Sequence, residues 1–217
     1  MINFKKYGKR CLSLFLAASM ILMPSVQTFA EEETAAATTD STQTAEEDRE
    51  TQRQNCYAIV PDSNSVENWP QGPATYADSA IVMDMNSGAV LYSKQIEKKH
   101  YPASITKLLT TLVALDNAEL TDTVEFSQDS ISFLEYGDAH IGMTPGEQIS
   151  MEDALYAVLL ASANEVSYAV AESVGKKMGG GYDTFIQAMN DESEKLGCTG
   201  SHWTNANGLH DEQHYTT

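Results

Sequence analysis

The chain has 217 residues, 31 of them acidic and 13 basic, for a net charge of −18. That balance argues against binding nucleic acid or an anionic membrane by bulk charge. The cysteines are three, and none stands at a metal-ligand spacing.

The first ten residues, MINFKKYGKR, carry Lys5, Lys6, Lys9 and Arg10 and no acid; the apolar run CLSLFLAASMILM follows, then Pro24 and a stretch closing at Ala30. A basic start, a short apolar middle and small residues at Thr28 and Ala30 describe a secretory signal peptide over 1–30. The run is short for a membrane span, though an uncleaved anchor has the same pattern. Cys11 stands at the start of the run rather than after it, which speaks against a lipoprotein anchor. Residues 31–55 hold eight acids and two arginines and no apolar residue but alanine. Such a segment cannot bury enough surface to offset chain entropy and reads as a disordered acidic linker. Without 1–30, nine basic residues face 31 acidic ones, a charge of −22. Export permits a disulfide between Cys56 and Cys198, but two free thiols fit equally.

Residues 56–217 are enough for one core. Ile81 to Met85 and Ala89 to Tyr92 flank the turn signal Asn86-Ser87-Gly88 and predict a hairpin. A helix is expected over 103–116, with an apolar stripe of Ile105, Leu108, Leu109, Leu112 and Val113. Val124 and Phe126 alternate in a short strand over 122–127. Pro145-Gly146 marks a turn. Ser150 with Asp153 resembles a capping box opening a helix to 161, apolar on most sides and so expected to be buried. A second helix ends at Gly179-Gly180-Gly181, and a third starts at Tyr182 and closes at Gly197. Asn207-Gly208 reads as a turn. Strands followed by a run of helices indicate an α+β fold. A lone hairpin neither shields a helical layer nor stands alone. The sheet is therefore expected to lack strands, as in a fragment.

Ser104 and Lys107 are three residues apart at the start of the first helix and share a face. The first turn offers unpaired backbone N–H groups and the positive end of the helix dipole. A serine hydroxyl needs a base to become a nucleophile, and a lysine serves if burial and positive potential lower its pKa. The Ser104 N–H is placed to help hold an oxyanion. The same pair also describes an ordinary helix start with a solvated lysine. Ser162 and Asn164 interrupt an apolar run at a helix junction, where they would be costly if buried unpaired. They either cap the next helix or point into a cleft, and the two readings are compatible.

YPASITK with ASAN resembles the penicillin-binding, serine-active D-alanyl-D-alanine carboxypeptidases. The hairpin IVMDMNSGAVLYSK and the segment TNANGLHDEQHYTT are similar to that family's as well, so the resemblance covers about 77–217. The Ser-x-x-Lys and Ser-x-Asn pair, in order and 58 residues apart, is specific. The closing segment separates the chain from class A β-lactamases, whose second motif is usually Ser-Asp-Asn. The resemblance implies a β-lactamase/transpeptidase-like serine hydrolase fold, incomplete here. It makes Ser104 the acylated nucleophile, Lys107 its general base, Ser162 a proton relay and Asn164 a ligand of the peptide that steadies Lys107. It implies a peptidoglycan stem peptide ending in D-Ala-D-Ala as substrate and β-lactams as inhibitors. No metal or cofactor is implied, and the place of action is outside the cytoplasmic membrane. Membrane association would come only through a C-terminal region. The family's third motif, Lys-Thr-Gly or Lys-Ser-Gly, has no counterpart; Lys177-Met178-Gly179 lacks the hydroxyl. The expectation is the N-terminal part of a longer enzyme, inactive as it stands. Besides a class A-like β-lactamase, two other readings remain. One is a cell-wall binding module without the chemistry. The other is a zinc hydrolase on His210 and His214, four residues apart, although the zincin pattern puts Glu where Asp211 stands.

Overall fold

The structure, a computed structural model, describes residues 46–217. The leader expected over 1–30, and the linker as far as 45, lie outside the described residues. The chain divides into two units, 1–52 and 53–217. Helix α1 occupies 46–58, so the expectation of a structureless linker does not extend over 46–55.

A 3-10 turn, Asp62–Ser65, leads to strands β1 (Ala80–Met83) and β2 (Val90–Lys94), which pair antiparallel with Ala80 opposite Lys94 and a register shift between Val82 and Met83. The hairpin turn is built on Asp84, whose carboxylate accepts from the Ser87 N–H at 2.8 Å and from the Ser87 hydroxyl. Gly88 supplies the φ of +72° that closes it. A 3-10 turn, Ala103–Ile105, runs into helix α2 (Thr106–Asn117). Strand β3 (Thr123–Glu125) is followed by the short helix α3 (Asp129–Ser132), strand β4 (Gln148–Ser150) and helices α4 (Met151–Leu160), α5 (Asn164–Lys177) and α6 (Tyr182–Lys195). β3 pairs antiparallel with β4, a strand with no alternation to betray it in the sequence. Ser150 ends β4 and caps α4: its hydroxyl accepts from the Asp153 N–H at 3.1 Å and donates to the Asp153 carboxylate at 2.7 Å.

The core is helical and centres on α5, whose Val166, Ala169, Val170, Ala171 and Val174 are buried among Val113 and Ala114 of α2, Leu155 and Val158 of α4, and Phe185 and Met189 of α6. Small residues let the neighbours approach. A Cβ on Gly175 would stand 2.0 Å from the Gly181 carbonyl oxygen.

Two expectations hold only in part. Of its apolar stripe, α2 buries Val113 and partly buries Leu109. Ile105 and Leu108 are 66% and 63% exposed, Leu112 and Leu115 are exposed too, and the buried side of the helix is Thr106, Lys107, Thr110 and Thr111 with Val113 and Ala114. α4 buries Met151, Ala154, Leu155 and Val158 but leaves Tyr156, Leu159 and Leu160 exposed, so it is one-sided. In the hairpin Ile81, Val82, Met83, Val90 and Leu91 are exposed. Cys56 is buried, Cys198 is exposed, and both are free. Among the described residues no helix is long and apolar enough to cross a membrane.

The hairpin is tied to the segment before it by Lys94. This side chain is fully buried, and its ammonium donates to the carbonyls of Cys56 at 2.6 Å, Thr75 at 2.9 Å and Ala77 at 2.7 Å. All three N–H groups are thus matched, and truncating the side chain orphans three carbonyls. Lys94→Ala in the full-length protein is expected to lower stability by on the order of 3 kcal/mol, measured by urea denaturation. An unchanged midpoint would contradict this account of the hairpin.

Candidate active site

Pro102 is followed by Ala103 in a left-handed conformation, φ +48°, and the chain turns directly into the 3-10 segment that carries Ser104. A non-glycine residue pays for that conformation, on the order of 1 kcal/mol. The result is an exposed serine in the first turn of the helix and, one turn on, a buried lysine. Lys107 is 2% exposed, and its ammonium has three partners: Ser104 Oγ at 3.1 Å, Asn164 Oδ1 at 2.8 Å and the Asn207 carbonyl at 2.6 Å.

The chemistry of those partners decides what the lysine can do. Asn164 Oδ1 and the Asn207 carbonyl only accept, so each holds one N–H of Lys107. The third position faces a hydroxyl, which can donate as well as accept. When Lys107 is neutral, its lone pair is therefore left directed at Ser104 Oγ. Burial pushes the Lys107 pKa down to about 8, against the opposing pull of Asp138 and Glu165. At pH 7 a lysine of pKa 8 is neutral in about one molecule in ten, against roughly one in three thousand at the ordinary value. Both neutrality and aim thus favour proton uptake from Ser104.

Ser162 completes the group. α4 ends at Ala161, and Ser162 takes the left-handed position, φ +54°, where a helix end usually places glycine. The turn directs its hydroxyl to Ser104 Oγ, to which it donates at 2.9 Å. Neither Ser162 nor Asn164 caps α5, contrary to the capping expectation. The residue at that position is Ala163, without a side-chain cap, and Asn164 is spent on Lys107 instead. The next residue, Glu165, is fully buried and accepts from the Ile141 N–H at 2.7 Å, while the Asn164 N–H donates to the Ala139 carbonyl at 2.8 Å. These bonds fasten the 138–141 loop across the start of α5.

Ser104, Lys107, Ser162 and Asn164, singled out from the sequence, therefore meet in one hydrogen-bonded cluster. The Asn207 carbonyl was not foreseen, since a backbone acceptor has no residue signature; the only trace was the Asn207-Gly208 turn. Gly208 has φ +84°, and a Cβ there would lie 1.9 Å from the Ala103 carbonyl oxygen. Only glycine lets the 205–208 turn come close enough to set Asn207 over Lys107. His210 and His214 do not converge on a metal. His210 stacks edge-on against Tyr101, whereas His214 is buried with its ring nitrogens on Thr106 and Thr204. Among the described residues no group of three or more His, Cys, Asp or Glu is placed to hold a metal ion.

A model of the family described as D-alanyl-D-alanine carboxypeptidase matches residues 66–217. Among curated relatives, the D-alanyl-D-alanine carboxypeptidase DacF of Bacillus subtilis (strain 168) is 32% identical over 146 residues, 65% of this chain and 36% of the relative. DacB2 of Mycobacterium tuberculosis, with the same description, is 33% identical over 64% of this chain and 44% of its own length. The chain thus spans less than half the length of these relatives. A crystal structure of a D-alanyl-D-alanine carboxypeptidase from Mycobacterium tuberculosis H37Rv superposes with a TM-score of 0.58 at 31% identity, covering 73% of this chain and 56% of that one. Penicillin binding protein 5 from Haemophilus influenzae gives 0.62 at 25% identity over 68% of this chain and 43% of that one. The neighbours share the penicillin-binding, transpeptidase-like fold, of which the helical body and two small sheets are seen among the described residues.

Lys107 is expected to titrate near 8, read from its 13Cε shift in the full-length protein. Asp138→Asn and Glu165→Gln should each lower that value further, because each removes a negative charge that favours the ammonium. A Lys107 titrating near 10.5 would overturn the assignment of a buried base.

Proposed function

The chain belongs to the D-alanyl-D-alanine carboxypeptidase family, and from that premise we propose that the full-length protein removes the terminal D-alanine from peptidoglycan stem peptides through an acyl-enzyme on Ser104. The observation that carries the proposal is the three-way arrangement at Ser104 Oγ, with Lys107 Nζ at 3.1 Å and Ser162 Oγ at 2.9 Å. One neighbour can take the proton and the other can pass one on.

In the proposed sequence, neutral Lys107 accepts the Ser104 proton as Oγ attacks the carbonyl of the penultimate D-alanine. The developing oxyanion lies at the N-terminus of the 3-10 and α2 segment, where the Ser104 N–H serves as a donor. Lys107, now charged, is stabilised by Asn164 Oδ1, the Asn207 carbonyl and the carboxylates of Asp138 and Glu165. Ser162 delivers a proton to the departing amine of D-alanine, and Lys107 replenishes it. Water then attacks the acyl carbon and gives up a proton to the same relay; the bond to Ser104 Oγ breaks as that proton is returned to Oγ, and the shortened peptide leaves. Asn164 has a second role: its Oδ1 steadies Lys107, and its amide is available to a carbonyl of the stem peptide. β-Lactams carry the same amide and carboxylate and would acylate the same serine, giving a stable adduct.

The substrate places the reaction at the cell wall, outside the cytoplasmic membrane, and export by the 1–30 leader is part of the proposal. So is a second wall of the cleft, which would pack on the exposed Ile105, Leu108 and Leu112 of α2 and on the exposed apolar residues of the hairpin.

Labelled penicillin should modify Ser104 in the full-length protein, as located by peptide mapping. Lys107→Ala is expected to slow acylation by about 10³-fold, the scale of a general base, and Ser162→Ala by about 10²-fold. Label on another serine, or a parental rate in Lys107→Ala, would defeat the proposal.

A further inference from the structure

The segment from Ser201 to Thr217 has no helix and no strand longer than an isolated bridge, yet it supplies one of the three partners of Lys107. Something must hold it in register on α2. Residue 206 has two tethers: its carbonyl accepts from the Thr110 hydroxyl at 2.7 Å, and its N–H donates to the Tyr182 hydroxyl at 3.1 Å. The other anchor is His214, 1% exposed and edge-on to Trp203.

The two ring nitrogens of His214 are both engaged, and their partners fix the tautomer. The Thr204 N–H donates to Nδ1 at 3.0 Å, so Nδ1 carries no proton. Nε2 is then the N–H, and it donates to the Thr106 hydroxyl oxygen at 2.7 Å. Thr106 is fully buried, adjoins Lys107 in sequence, and stands 3.0 Å from the position a Cβ would take on Gly208. One imidazole therefore bridges the start of the 204–208 turn and the residue next to the lysine that the turn must reach.

We propose that neutral, Nε2-protonated His214 is a positioning residue for this site: it clamps Thr204 to Thr106 and so keeps the Asn207 carbonyl on Lys107. The idea rests on the acylation reading above and adds to it a group that touches neither substrate nor Ser104. The clamp works in one protonation state only. A proton on Nδ1 would face the Thr204 N–H, donor against donor, and the turn would lose its hold. The groups acting on the ring are few. α2 presents the Thr106 hydroxyl, the Thr204 hydroxyl lies 3.4 Å from Nδ1, Asp211 favours protonation and His202 opposes it. Burial dominates and holds the imidazole below its ordinary value, so the clamp is closed at neutral pH and opens only as pH falls through that lowered value.

The test is the pH dependence of penicillin acylation in the full-length protein, from pH 9 down to the lowest pH at which the parent keeps its native circular dichroism, for the parent and His214→Gln. Lys107 alone gives a limb of slope one in the logarithm of the rate constant. The parent should steepen to slope two in acid, where His214 charges as well. Gln keeps an N–H for Thr106 and does not titrate, so that variant should hold slope one throughout. In His214→Phe both bonds are lost, water reaches Nζ, and the 13Cε titration of Lys107 should move up from about 8 towards 10.5, with acylation at pH 8 falling by about tenfold or more. Parallel profiles for parent and Gln, or a Lys107 titration unmoved in the Phe variant, would overturn the clamp. If the parent does not acylate at Ser104 at all, the proposed reaction falls, and the Lys107 titration in parent and Phe variant still decides the clamp.

Discussion

Lys107 Nζ is bonded to atoms from three parts of the chain: the 3-10 turn that carries Ser104, the start of α5 through Asn164, and the 205–208 turn through the Asn207 carbonyl. Several local oddities serve that one nitrogen. Ala103 and Ser162 accept left-handed backbone without being glycine, and Gly208 must be glycine to let the turn approach. Asn164 forgoes capping its own helix. Each is a small local cost of the kind that collects at sites of function, where surrounding structure over-determines a strained conformation.

Burying the lysine is itself costly. Holding its pKa near 8 rather than 10.5 means that the charged form at neutral pH costs on the order of 3 kcal/mol relative to solvent. That cost is fully present below pH 8 and fades as pH rises towards 10.5. The helical core can bear it, since α5 is packed on α2, α4 and α6 by a continuous set of apolar side chains. The site therefore lies where a rigid helical body meets an irregular segment. The helices supply Lys107, Asn164 and Glu165, while the loops at 138–141 and 204–208 add the Asp138 charge and the Asn207 carbonyl.

Much of this was legible in the sequence, for identifiable reasons. The hairpin announced itself by its Asn-Ser-Gly turn, α4 by Ser150 and Asp153, and the helix ends by glycine. The candidate site was legible because a serine and a lysine one helical turn apart, with Ser-x-Asn downstream, are residue types at fixed spacings, and the four side chains do meet. What was lost was direction. Hydropathy marked the stripe Ile105, Leu108, Leu109, Leu112 and Val113, yet Ile105, Leu108 and Leu112 are exposed, and Val113 shares the buried side with Lys107, Thr106 and Thr110, which have specific partners there. β4 was missed since its three residues take their identity from β3. The Asn207 carbonyl and the His214 bridge were invisible because they join positions about 100 residues apart through backbone atoms and a tautomer. The acidic stretch 46–55 is helical despite a composition suited to a linker, as charge content alone does not forbid a helix.

The central claim is that Lys107 acts as a neutral base because both of its other partners accept hydrogen bonds without carrying charge. Asn164→Asp in the full-length protein tests this most directly, since it keeps the oxygen in place and adds the charge. With a carboxylate on Nζ the lysine stays an ammonium, so the acid limb of Ser104 acylation should move to higher pH, with the rate at pH 8 reduced by about 10²-fold and partly recovered at higher pH. A pH profile identical to the parent's would contradict the account.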